Sequence, residues 1–244
     1  MKQEAILSSL KEAGLTHSLE QHEELEGPRG PVLSMPIARE TAFDAWKSLF
    51  SRREAMEACP VVLADIPMIE ENFDLNEASE LDMARAARQL EGVNVAPWLT
   101  ERLEEAGSAY LSAEPQAPAG PVSESGGFHL LTSKELRLAL VPTVHAWEIP
   151  LLLGFGGFND CPEPVEHAAV LRRWQESHGA RLFALSGSVL ELVVDHPPST
   201  GEAALALARE QFAYCTDIVT QGTQTVEQLA AGLWNAPRWF FWWD

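Results

Sequence analysis

The chain has 244 residues, 46% of them hydrophobic, and sets 17 basic against 36 acidic side chains for a net charge of −19. That length holds one large domain or two small ones with a sizeable core, while the charge disfavours direct binding to nucleic acid or an anionic membrane, which both need a basic surface. No stretch approaches the roughly 20 apolar residues of a membrane span, the N-terminus lacks a signal peptide's apolar centre, and Cys59, Cys161 and Cys215 form no C-x-x-C pair, which together point to a cytoplasmic protein with reduced thiols.

In chain order, Ile6, Leu7, Leu10 and Leu15 predict a short amphipathic helix, and Gly27-Pro28-Arg29-Gly30-Pro31 breaks the chain. Residues 32–37 read as a strand. The stripe of Phe43, Trp46, Leu49 and Phe50 predicts a helix over 41–56. Pro60-Val61-Val62-Leu63-Ala64 reads as a buried strand that closes a β-α-β unit. Asp65, Glu70, Glu71, Asp74, Glu77, Glu80 and Asp82 follow, with no Lys or Arg among them. Such a stretch is a solvated face or a surface that meets a basic protein, for which Glu70, Glu71, Asp74 and Glu77 are the partner-binding candidates. Helices are expected over 77–90 and 97–105.

Residues 112–127 are rich in Pro, Ala, Gly and Ser and cannot bury enough surface to offset ordering. The expected division is an N-terminal α/β part at 1–111, a linker at 112–130 and a C-terminal domain at 131–244. In the last of these, Leu136, Leu138 and Leu140 alternate as a strand, and residues 164–178 are helical. Strands at 181–185 and 189–194 join through Ser186-Gly187-Ser188, a hairpin signal. Ser199-x-x-Glu202 and Thr225-x-x-Gln228 open two further helices. The chain closes on Trp239-Phe240-Phe241-Trp242-Trp243-Asp244. Rings of this size are not left in water, so the run reads as a final strand. Trp239, Phe241 and Trp243 face one way, Phe240 and Trp242 the other.

The fold expected is α+β. A ferredoxin-like (split β-α-β) C-terminal sheet with helices would be covered or extended by the mostly helical N-terminal part. Its last strand lies at an edge and needs cover on both faces.

Three groups of residues are candidates for chemistry. Gly154-Phe155-Gly156-Gly157-Phe158-Asn159-Asp160-Cys161-Pro162 is a glycine-rich loop entering a helix, without the Lys-Ser/Thr of a P-loop. Cys161 stands at that helix start, where the dipole favours a thiolate and the adjacent acids oppose it. His167, six residues on, falls about 240° round a continuous helix and would not pair with it. Asp217 and Gln221 occupy the polar joint between the last two helices. Catalytic candidates are therefore Cys161, His167 and Asp217, and ligand-binding candidates Gly156, Gly157, Asn159, Gln221 and Trp242. No ligand-like spacing of His and Cys implies a metal or another cofactor.

Gly156-Gly157-Phe158-Asn159-x-Cys161-Pro162, Tyr214-Cys215-x-Asp217-Ile218-Val219-x-Gln221-Gly222 and the closing aromatic run together resemble the bacterial domain of unknown function family 4253 over about 138–244. Phe158 stands where that family leads one to expect Trp. The resemblance implies a soluble bacterial protein and carries no reaction, cofactor or partner. Two function classes follow. One is a non-enzymatic, acidic protein-binding factor of immunity or regulatory type. The other is an enzyme or small-ligand binder with a pocket at the Gly154–Cys161 loop, His167 and Asp217. The sequence leans to the first and sets no oligomeric state.

Overall fold

A computed structural model describes residues 1–15, 20–65, 82–112, 116–121 and 128–244. Helix α1 (Gln3–Glu12) buries Ile6 and Leu10, and strands β1 (Glu20–Gly27) and β2 (Gly30–Pro36) pair as an antiparallel hairpin. The single helix expected over 41–56 is two: α2 (Arg39–Phe50) and a one-turn α3 (Arg53–Met56), which Glu57 ends at φ +53°. Strand β3 (Cys59–Ala64) is buried at every position. Helix α4 (Met83–Gly92) starts at Asp82, whose carboxylate accepts from the amides of Ala84 and Arg85, and α5 (Val95–Glu105) follows.

The C-terminal half supplies β4 (Leu136–Val141), a short α6 (Ile149–Leu153), α7 (Pro164–His178), β5 (Arg181–Leu185) and β6 (Val189–Val193). Helix α8 (Gly201–Tyr214) is capped by the Thr200 hydroxyl, which accepts from Ala203 N. A π-helical turn at Ile218–Thr223, α9 (Val226–Leu233) and β7 (Arg238–Trp242) complete the chain.

Strands from both halves enter one mixed sheet, in the order β1-β2-β4-β3-β5-β6-β7. A ferredoxin-like sheet would set β4 beside β6 and β7 beside β4. Instead both edges of β4 are taken by β2 and β3, both antiparallel to it, and β3 runs parallel to β5. The reason lies in β3. A strand that is apolar on both faces, rich in Val and Leu, is stable only inside a sheet with helices above and below. The N-terminal part thus enters the middle of the sheet rather than extending it past the last strand. β7 does lie at the edge, antiparallel to β6.

Each face of the sheet carries its own aromatic cluster. On one side α2 lays Phe43 and Trp46 against Phe183 of β5, with ring centroids 5.5 and 5.4 Å apart, and Phe128 joins at 4.0 Å from Phe183. Trp46 fixes its indole by donating to Pro60 O at 3.0 Å. On the other side Trp174 of α7 stacks on Phe241 at 5.4 Å and meets Trp239 edge-on at 5.6 Å. Trp239, Phe241 and Trp243 are buried, while Phe240 and Trp242 are half-buried. Cover for the Phe240 face comes from the end of the expected linker, which packs into the fold rather than staying free, with Leu130 buried. His129 packs on Phe240, and Glu191, opposite Phe240 in the register, accepts from the amides of His129 and Leu130.

Candidate functional site

The glycine-rich loop follows α6, which stops because Gly154 adopts φ +69°. Gly156 is at φ +121°, and a β-carbon there would lie 2.1 Å from Pro162 O and 2.8 Å from the Cδ2 of His167. Only glycine lets the chain pass so close to a ring. Gly157, at φ +76°, donates to Pro162 O at 2.9 Å and faces the Glu163 carboxylate. The loop closes with Cys161 N donating to Phe158 O at 2.9 Å. Helix α7 then begins at Pro164, and Glu166 reaches back to accept from Glu163 N at 2.9 Å. From the N-terminal half, α5 clamps this corner. Arg102 donates to Asp160 O at 2.8 Å, and Trp98 Nε1 donates to Glu166 at 2.8 Å.

Cys161 and His167 do pair. The 240° argument assumes one continuous helix, but Cys161 precedes the first turn and folds back over it, so its Sγ sits 3.3 Å from His167 Nε2. On the other side, His167 Nδ1 is 2.5 Å from the Tyr214 hydroxyl. The imidazole has one N–H, so thiol, ring and phenol form a relay running one way or the other. Phe155, Trp243 and Trp174 wall it in, with Phe155 at 4.9 Å and Trp243 at 5.3 Å from the imidazole and Trp174 at 5.0 Å from the phenol.

Burial decides the charge state of this relay. Cys161 is 6% exposed, and His167 and Tyr214 are fully buried. Desolvation penalises the charged form of each group. It pushes the Cys161 thiol well above its ordinary value, aided by Cys215 and opposed by Arg102, and raises the Tyr214 phenol too. The same burial, with Arg102 nearby, pushes the imidazole down to about 3. At neutral pH the trio is uncharged throughout. A thiol needs the thiolate form to attack or to ligate, and this one is held neutral.

Asp217 and Gln221 form a separate group. The Asp217 carboxylate accepts from Gln221 Nε2 at 3.2 Å and from the backbone N of Asp244 at 3.0 Å, so it holds the chain end. Cys215 is also buried, its thiol pushed up to about 12 by burial, and it donates to Trp242 O at 2.9 Å. The Trp242 ring lies against Gly222, where a β-carbon would come within 2.9 Å of it. Asn159 is exposed at φ +47°. Glu70, Glu71, Asp74 and Glu77 lie outside the described residues. Among the described residues no three His, Cys, Asp or Glu side chains are grouped to hold a metal ion, and no helix is long and apolar enough to cross a membrane.

Tyr214 is the member that sequence reasoning missed. Its signal was available in the Tyr214-Cys215-x-Asp217 motif, but nothing in the spacing links position 214 to position 167. Residues 137–244 match the family model of a domain of unknown function (DUF4253), the family that the three motifs resemble. No curated protein and no solved structure matches the chain.

Proposed function

We propose that this bacterial, cytoplasmic protein works by binding rather than by catalysis, as an acidic protein-binding factor of immunity or regulatory type. The observation that carries this reading is the sealed state of the Cys161–His167–Tyr214 relay. The best-placed nucleophile and base are in contact, yet both are buried and neutral. Their geometry suits a structural role, tying the loop to α7 and α8. The net charge of −19 supports a basic partner, met electrostatically. Three free, buried cysteines support a reducing compartment.

The test pairs two variants of the full chain, used as bait with proteins of its own source. One carries Glu70→Gln, Glu71→Gln, Asp74→Asn and Glu77→Gln, and the other Cys161→Ser. A captured basic protein that is lost with the first variant and kept with the second supports the proposal. Capture unaffected by the first variant removes the acidic face from the account. An activity abolished by Cys161→Ser in a folded chain removes the binding reading itself.

A further inference from the structure

On the α2 face, away from the relay, the fold leaves a cleft of about 530 Å³ at one end of the sheet. Its wall on one side is α2, with Phe43, Trp46 and Lys47, and on the other the turn from α7 into β5, with Gly179 and Arg181. A volume of this size falls within the range of small-molecule sites, roughly 300–1,000 Å³.

The lining has an unusual balance for so acidic a chain. Lys47, Arg53 and Arg181 face the cleft, and Asp195 is the one carboxylate among the lining residues. Arg53 is aimed by two main-chain acceptors, with Nε on Val144 O and Nη1 on Phe50 O, each at 3.1 Å. Those acceptors are neutral, so they orient the guanidinium without cancelling its charge; Glu54, outside the cleft, touches it at 3.5 Å. Arg181 pairs with Asp195, and its Nε is buried without an acceptor among the described residues. Lys47 is exposed and has no ion pair among the described residues.

The floor is aromatic. The two guanidiniums stand over Phe50, 4.5 Å away for Arg53 and 5.2 Å for Arg181, and Arg181 also lies 6.0 Å from Trp46. Trp46 and Phe50 are themselves stacked at 5.1 Å. Trp46 and Phe50 are themselves buried, so the cleft meets the guanidiniums held over them, partly desolvated and fixed in plane, together with the half-buried ring of Phe43. Arginine in this setting matches the planar geometry of a carboxylate or phosphate.

We infer that this cleft binds a planar organic anion, an aromatic ring carrying a carboxylate or a phosphate. The ring lies against the half-buried Phe43 and the guanidinium planes, and the anionic group meets Lys47 and Arg53. This site goes beyond the acidic protein-binding surface and does not depend on it.

Calorimetric titration of the full chain tests it, with 1-naphthoate and adenosine monophosphate as probes and 1-naphthalenemethanol and adenosine as their neutral counterparts. At least one anion binds with one site per chain, and its neutral counterpart binds at least about tenfold more weakly. Preference for naphthoate or for the nucleotide tells a carboxylate ligand from a phosphate one. Lys47→Gln, at an exposed side chain with no ion pair among the described residues, leaves the melting temperature unchanged and weakens the anion roughly tenfold. Failure of both anions to bind at about 1 mM, equal binding of the neutral compounds, or an affinity indifferent to Lys47→Gln overturns the proposal.

Discussion

Gly156 and His167 are so close that no other residue fits between them: a β-carbon on Gly156 would stand 2.8 Å from the imidazole Cδ2. The loop and the first turn of α7 are therefore one packed unit, with the relay at its centre. Gly156→Ala strains a φ of +121° and drives a methyl group into both the ring and the Pro162 carbonyl. The expected cost is about 2–4 kcal/mol, read as a lower midpoint in urea unfolding. An unchanged midpoint would mean the loop is free to move off the helix.

Tyr214→Phe removes the only partner that His167 Nδ1 has among the described residues and keeps the ring that packs on Trp174. A buried nitrogen left without a partner costs roughly 1–3 kcal/mol. Cys161→Ser at the other end keeps a donor and acceptor on His167 Nε2 and should cost less. Chemical denaturation of both variants checks the order.

Two buried groups give stability opposite slopes with pH. Glu191 is raised to about 7 by burial, against two backbone N–H donors and Arg238. The unfolded chain therefore releases this proton first, near the ordinary value of 4.5, and stability falls as pH climbs from there through 7. His167 is lowered to about 3 from 6.5, so the unfolded chain takes up its proton first and stability falls as pH drops below 6.5. Glu191→Gln removes the first slope and leaves the second. Relative to the native chain the variant gains up to roughly 3 kcal/mol between pH 4 and pH 8, over a pH-independent cost for setting its amide NH2 against one of the two backbone donors, and its stability rises monotonically from pH 4 to 7. Urea midpoints across pH 4–8 check this, and identical profiles for the two chains would contradict it.

A fragment of residues 131–244 lacks β3, which separates β4 from β5. Val62 and Leu63 pair there with Ala184 and Leu185, so the fragment exposes the inner edges of both strands. It should aggregate or bind a hydrophobic dye. A monodisperse fragment that melts cooperatively would contradict the sheet order.

These contacts also mark what the sequence disclosed. The period-2 alternation of Trp239, Phe241 and Trp243 against Phe240 and Trp242 is local, and it appears as buried and half-buried faces of β7. The apolar run 60–64 announced a buried strand for the same reason. Its partners did not announce themselves, because pairing with β4 and β5 joins segments separated by more than the length of a helix-and-linker excursion, and no local pattern encodes that. Glu20–Gly27, too charged to read as a strand, is held as one by its hairpin partner. The Cys161–His167 contact turned on where α7 begins, and Pro164 at its first position was the legible sign. The cleft was invisible because its cations come from α2, the first residue of α3 and the start of β5, brought together only by the sheet.

Alkylation of the native chain by iodoacetamide at pH 7.5, followed peptide by peptide, tests most directly whether the relay is structural. Cys161 should stay unmodified until the chain is unfolded by urea, its reaction tracking global unfolding. Selective alkylation of Cys161 in the folded protein, faster than a free cysteine, would show a thiolate where a neutral thiol is required and would contradict the account.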